Sequence, residues 1–504
     1  MAGNMLTAYY GKNCDSRDLF KNLRIVQDPS FEKHLNKHNV FFLNIQKFWS
    51  ETHDIRKMIE LLQKSLLWEL QQQYPEVQYF DKADLTRSLS DIFAQTGEGF
   101  IFIVDEWDCL FREVKESPEI WKIYLEFLQN LLKDAEYAEL VYMTGILPVK
   151  RKVSQSALNM FTEYSMTNPM NLAEFVGFTE SEVEGLCKKY DIDFEETKKW
   201  YNGYYLPKIG NVYNPKSVVT AMLSGIFDNY WTKTASYEAI EIYIKMNFDG
   251  LKESVVRLLG GDRIKINPDR FLNDMATVGS IDEVFTLFVH LGYLGYDRDN
   301  QEVFIPNSEI ASEFVNAIEG ENWKSVVDAL KASDQLLQDI LQKNATAVAE
   351  AIDTAHIENA SILKYNDENS LACVISLSLY SARKYYTVIR ELPAGKGFAD
   401  LVFLPHPNQT DKPAMVVELK WDKNANSAIR QIKEKKYTAG CGGVFAGCVG
   451  AGFNKYICPI KKKTEIICIY DGRKPAPTGN LLLVGINYDK ETKKHECVIE
   501  EALL

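Results

Sequence analysis

Three residues in the last quarter of the chain have the types and spacing for phosphoester chemistry. Glu418 and Lys420 stand two apart in the apolar run MVVELKW, and Asp400 opens the preceding apolar run of GFADLVFLP. In an extended strand, residues i and i+2 project from one face, so this carboxylate and ammonium share a surface. The intervening PHPNQTDKP is rich in chain-reversing residues, and an antiparallel return brings Asp400 beside the pair. Two carboxylates with one ammonium suit a divalent cation and a lysine that orients or activates water. An ordinary surface hairpin with Glu and Lys ion-paired uses the same residues; the apolar flanks count against it.

A second acidic group ends the run FIFIVDEWD, Phe100 to Asp108. Asp105 at the close of a buried strand is placed to reach Mg²⁺, and Glu106 to polarise a hydrolytic water. A solvated strand end would carry the same two acids. The glycine-rich phosphate loop that normally serves such a strand, GxxxxGK[ST], is found nowhere in the 504 residues.

Elements must position these groups. VFFLNIQKF (40–48), FIFIVDEW (100–107) and AELVYMTGIL (138–147) are expected as strands, while 55–74 and 119–135 carry apolar residues at helical spacing. Strands alternating with helices predict a parallel α/β sheet. From about 237 to 349 the pattern is mostly helical, with one hairpin at 290–307, and His290 is expected as an ordinary strand-end residue. Beyond Ile357 the runs KYYTVIRELP, FADLVFLP, AMVVELKW and GCGGVFAG predict strands, with helices at SLACVISLSLYSARK and NANSAIRQIKEKKYTAG.

A length of 504 residues implies several domains, and 46% hydrophobic with 12% aromatic residues suits packed cores. The net charge of −13 argues against a wholly nucleic-acid-binding surface but allows a local basic groove. The nine cysteines include no CxxC pair and are expected as reduced core residues of a cytoplasmic protein. No apolar run reaches the length of a membrane span.

The succession NDENSLACVISLSLY, YYTVIRELPAGKGFADLVF, MVVELKW and AIRQIKEKKY resembles the PD-(D/E)XK nuclease superfamily. The resemblance implies that Asp400 and Glu418 hold Mg²⁺ and that Lys420 serves the attacking water. It makes Glu368 an additional acid and places Gln431 and Tyr437 on the following helix as matching residue types. Phe398 stands where the family often has an arginine, which removes a phosphate contact but no metal ligand. Lys396, Lys423, Lys433, Lys435 and Lys436 would line a phosphate groove or simply a solvated face.

DEWD, YMTGILPVKRKVSQSALNMF, FVGFTESEVEGL, WYNGYYLPKIGNVYNPKSVVTAM and LGYLGYDRDNQEVFIPNSEI, in that order, resemble the AAA-ATPase-like family of bacterial proteins. Thr144 is a candidate to contact the γ-phosphate or its water and Arg151 a candidate arginine finger, although KRK is more often a plain solvated run. The opening MAGNMLTAYYGKNCDSRDLF resembles the helix that follows the family's phosphate loop. This implies truncation just after that loop, with ATP and Mg²⁺ bound only by a complete form.

The expected organisation is an α/β multi-domain chain. A P-loop NTPase-like parallel sheet occupies 1–236, a helical, winged-helix-like region 237–350, and a PD-(D/E)XK nuclease-like domain 351–504. The expected function is Mg²⁺-dependent hydrolysis of nucleic-acid phosphodiesters, with ATP binding impaired, no membrane partner and oligomerisation left open. The alternative is a non-catalytic regulatory or nucleic-acid-binding protein on a degenerate NTPase scaffold.

Overall fold

The computed structural model describes residues 2–12, 14–114, 117–148, 158–206, 209–231, 243–244, 250–271, 278–318, 324–363, 368–394, 397–406, 409, 411–435 and 480–503. The chain divides into two units: Met1–Gly177 with Tyr205–Gly210 and Ile266–Gln301, and Phe178–Tyr204 with Asn211–Lys265 and Glu302–Leu504.

Aromatic and β-branched runs build the sheet of the first unit. β1 (Asn39–Asn44), β2 (Phe100–Asp105) and β3 (Ala138–Met143) pair in parallel in that order among the described residues. Parallel pairing demands long crossovers, and helices supply them: α1 (Ile45–Thr52), α2 (Ile55–Gln73) and α3 (Leu85–Thr96) before β2, then α4 (Cys109–Glu113) and α5 (Pro118–Leu132). Phe41, Leu43, Phe102 and Val104 pack with Met58, Leu62, Leu89, Tyr124 and Leu128, all buried. Each such side chain contributes roughly 1.5–3 kcal/mol through burial.

The first expected strand stops short of Phe48. The Asn44 side chain accepts the Lys47 N–H at 2.9 Å and caps α1, so the polar–apolar sequence after it coils. The third stops at Met143, although Thr144 N still reaches Val104 O at 2.9 Å. His290, expected at a strand end, is instead the last residue of helix Ile281–His290, where burial pushes its imidazole down to about 4. Strands at Gly295–Asp297 and Glu302–Phe304 flank the expected turn.

The second unit carries a five-stranded mixed sheet: β4 (Tyr386–Ala394), β5 (Gly397–Pro405), β6 (Ala414–Trp421), β7 (Asn480–Asp489) and β8 (Lys494–Leu503), in chain order. Only β6 and β7 run parallel; the other neighbours are antiparallel. One face is covered by α6 (Lys324–Leu341), α7 (Ala345–Leu363) and α8 (Glu368–Ser378), with Leu337, Ile340, Ile352 and Ile375 against Leu401, Val417 and Leu419. The other face takes α9 (Ala425–Glu434), whose Ile429 and Ile432 meet Val402, Val416 and Leu483. The expected strand GCGGVFAG lies outside the described residues, and the strand beside β6 is β7. Earlier in this unit, Asn307 ties two expected motifs together by donating to Asn202 O at 2.8 Å and capping Ile310 N at 3.0 Å.

Cys109, Cys187, Cys373 and Cys497 are free and buried, and Cys14 is free and exposed. Cys441, Cys448, Cys458 and Cys468 lie outside the described residues. No described helix is long and apolar enough to cross a membrane.

Candidate functional site

β5 and β6 pair through Phe403↔Met415, Val402↔Val416 and Leu401↔Val417, and there the ladder stops. The next residues in that register are Asp400 and Glu418. Asp400 Oδ2 accepts the Leu419 N–H at 2.7 Å, so a side chain takes a backbone donor of β6 where the strands part. Glu418 and Lys420 share a face as their i, i+2 spacing requires. Lys420 Nζ donates to Glu418 Oε1 at 2.9 Å and to Leu419 O at 2.7 Å. Both side chains are buried, Glu418 at 1% exposure and Lys420 at 5%.

α9 closes over this pair. Its apolar positions Ala425, Ala428, Ile429 and Ile432 recur at helical spacing, and Asn424 caps it by accepting the Ser427 N–H at 2.7 Å. Close approach depends on Gly485, which lies opposite Glu418 in the parallel register. A Cβ there would stand 2.5 Å from Ala425 O, so any side chain pushes the helix away. So seated, α9 brings Gln431 Nε2 into a hydrogen bond with Glu418 Oε1. Asn487, opposite Lys420, accepts the Lys423 N–H at 3.0 Å and fixes the turn into the helix.

Burial, then the neighbouring Asp400 carboxylate, raises the Glu418 carboxyl to about 7 against the pull of Lys420. Glu418 Oε2 is buried with no hydrogen-bond partner among the described residues. A buried anionic oxygen beside a second carboxylate is a donor set for a hard divalent cation. Among the described residues no group of three His, Cys, Asp or Glu is gathered for a metal. Two carboxylates suffice for a Mg²⁺-type ion, which keeps several waters and takes substrate oxygens. Glu368 begins α8, but its side chain lies outside the described residues, as do Lys396, Lys436 and Tyr437. Lys433 is engaged with Glu500 at 2.5 Å rather than left open to a groove.

At the end of β2 the geometry differs. Asp105 Oδ1 accepts from the Thr144 hydroxyl, so these two expected residues meet. Glu106 turns away in a left-handed conformation, φ 55°, uncommon for a residue with a side chain. Its carboxylate is held by Arg112 Nη2. Arg112 Nε also lies 3.4 Å from Asp108 Oδ2. Asp108, fully buried, accepts the N–H groups of Ile146 at 3.0 Å and Leu147 at 2.8 Å. Burial raises its carboxyl, opposed by Arg112 and those two N–H groups. Arg151 lies outside the described residues.

Asp108 and Arg112 escaped the sequence reading, though the third acid of DEWD with Arg112 four residues on was a usable signal. Gly485 and Asn487 gave no signal before β7 was placed against β6.

Residues 1–154 match the family described as Predicted AAA-ATPase, and residues 366–442 match the PD-(D/E)XK nuclease superfamily. No curated protein matches the chain. Asp105, Glu106 and Thr144 fall within the first match and Asp400, Glu418 and Lys420 within the second. The chain therefore carries an AAA-ATPase-like domain at its N-terminal end and a PD-(D/E)XK nuclease superfamily domain towards its C-terminal end.

Proposed function

We propose that the C-terminal domain is a metal-dependent nuclease that hydrolyses nucleic-acid phosphodiesters. The observation that carries this reading is the buried Glu418 Oε2, without a hydrogen-bond partner among the described residues, beside Lys420 at the point where Asp400 interrupts the strand ladder. Asp400 and Glu418 would hold Mg²⁺, which when bound polarises the phosphate and acidifies the attacking water. Lys420 directs its ammonium protons towards the water and the developing charge, while Gln431 holds the Glu418 carboxylate in place. The water oxygen adds to phosphorus, one ester P–O bond breaks, and the departing oxygen leaves with the electron pair and takes up a proton. Purified protein with Mg²⁺ or Mn²⁺ is expected to cleave DNA or RNA, and Glu418→Ala or Lys420→Ala to abolish cleavage. No cleavage of any nucleic acid, with Mn²⁺ affinity unchanged in Glu418→Ala, would overturn the reading.

For the N-terminal domain a specific observation favours a regulatory scaffold over a working ATPase. Glu106, the residue suited to polarise water, is occupied by Arg112, and Asp105 is occupied by Thr144. On this reading ATP binding in the chain is impaired. An ATP titration tests it: micromolar binding with turnover by the unmodified chain refutes it.

A further inference from the structure

The lysines around the site are not equivalent. Lys420 already directs two of its three ammonium hydrogens to Glu418 Oε1 and Leu419 O. Lys433 is exposed and paired with Glu500 of β8 at 2.5 Å. Lys435 is half-buried, and its N–H reaches Gln431 O at 3.0 Å, so the backbone there still follows the helix. Residues four apart on a helix share a face, which puts Lys435 on the side of α9 from which Gln431 bonds Glu418. Lys433 is rotated by about 200° from Gln431. Helical side chains lean towards the N-terminus, so the Lys435 stem returns over the turn that carries Gln431. Its charge reaches the pair: against burial and Asp400, which raise the Glu418 carboxyl, Lys435 acts with Lys420 to lower it.

With Asp400 and Glu418 ionised, the two carboxylates are matched by Lys420 and Lys435, and a divalent ion would leave the site doubly positive. A phosphodiester brings one negative charge. The chain as a whole carries −13, so a nucleic-acid strand has to be held by local cations rather than by a broad field. Lys420 is tied to Glu418, whereas Lys435 offers, on the same face, an ammonium whose flexible stem can meet a non-bridging oxygen. We propose that Lys435 grips a backbone phosphate of the bound strand beside Asp400 and Glu418, so that the C-terminal end of α9 anchors nucleic acid independently of its base sequence. This rests on the nuclease reading for the kind of substrate, but the contact is measurable without cleavage. A lysine that only faced the terminal carbonyls of its helix would leave binding untouched.

The test uses the full chain and a labelled oligonucleotide of one sequence, as single-stranded and as duplex DNA. Binding is followed by fluorescence anisotropy in EDTA across a range of NaCl concentrations, and cleavage in Mg²⁺. Lys435→Gln is expected to flatten the dependence of log affinity on log salt by about 0.7 on single strand or about 0.9 on duplex, the loss of one phosphate contact. Lys435→Arg should retain the slope, and so should Lys433→Gln. An uncharged methylphosphonate linkage moved along the strand should weaken binding where it meets Lys435, and the penalty at that position should vanish in Lys435→Gln. An unchanged slope in Lys435→Gln, an equal fall in Lys433→Gln, or methylphosphonate penalties that all persist in Lys435→Gln overturns the contact and leaves the nuclease reading to its own test. A Lys435-dependent slope without any cleavage overturns the nuclease reading instead and leaves Lys435 as a nucleic-acid contact. No binding of either form of DNA, with no cleavage, overturns both.

Discussion

If Glu418 holds a metal as proposed, protons and metal compete for it, and the competition falls in an accessible pH range. The carboxyl titrates near 7 because it is buried beside Asp400, with Lys420 only partly offsetting that cost. A carboxylate holds a cation only when deprotonated. With the carboxyl at about 7 the deprotonated fraction is about 0.9 at pH 8 and about 0.1 at pH 6, so affinity falls roughly ten-fold over that interval. At the ordinary value near 4.5 the same change would be about 3%. The sign is fixed: a raised carboxyl favours the protonated form, so metal binding strengthens as pH rises through about 7. The same difference means that ionised Glu418 costs the empty fold about 3 kcal/mol. This cost is absent below the unfolded value near 4.5 and complete above about 7, and a bound cation offsets it. Calorimetric titration of the full chain with Mn²⁺ at pH 6, 7 and 8 measures the effect. Two buffers of different ionisation enthalpy should reveal close to one proton released per ion at pH 6. Glu418→Gln should bind at least ten-fold more weakly and without this pH dependence. Equal affinity at pH 6 and 8, or a pH dependence that survives in Glu418→Gln, refutes the reasoning.

Further perturbations follow from packing. Gly485→Val places side-chain atoms where Ala425 O already crowds a Cβ; it should cost roughly 1–3 kcal/mol, and cleavage should fall more than nucleic-acid binding because Gln431 moves with α9. Asp108→Ala strips the Ile146 and Leu147 N–H groups of their acceptor; a loss of roughly 2–4 kcal/mol should appear as faster hydrogen exchange in β2 and β3, with β5 and β6 unchanged. Asn307→Ala removes both a helix cap and a tie to Asn202; about 1–2 kcal/mol should be lost, read as a lower denaturant midpoint with unchanged Mn²⁺ affinity.

What the sequence disclosed follows from which forces are local. Strands such as FIFIVD and MVVELK are long apolar runs, and their burial could be read from composition. The Glu418–Lys420 contact follows from the two-residue period of a strand, and Asp400's approach from a turn-rich connection. Boundaries were harder, because Asn44 ends β1 through a single side-chain bond to Lys47 N. The hold of Gln431 on Glu418 depends on how deep α9 sits, and that depth is set by Gly485, far along the chain. Likewise the burial of Asp108 depends on the left-handed turn at Glu106, which no residue type in DEWD announces. Local periodicity was legible; contacts fixed by long-range packing were not.

The Glu418–Lys420 pair also bears on why such a site is retained. Replacing a buried ion pair with well-packed apolar residues is often neutral or stabilising by about 1–4 kcal/mol. Neighbouring positions Val416, Val417 and Leu419 are apolar and fully or nearly fully buried, so the fold has no need of charges at 418 and 420. Nor is the pair internally balanced. Oε1 accepts from both Lys420 and Gln431, while Oε2 has no hydrogen-bond partner among the described residues and Asp400 adds like charge. On the nuclease reading a positive ion from outside would relieve the imbalance, which would account for the orphaned oxygen, the raised carboxyl and the parted strands together. At the end of β2 the opposite holds: Arg112 already neutralises Glu106 from within. Among the described residues, Asp400 and Glu418 join an orphaned buried oxygen, like charge and a parted strand pair within the nuclease-like domain, and there chemistry with a cation and a phosphate is best supported.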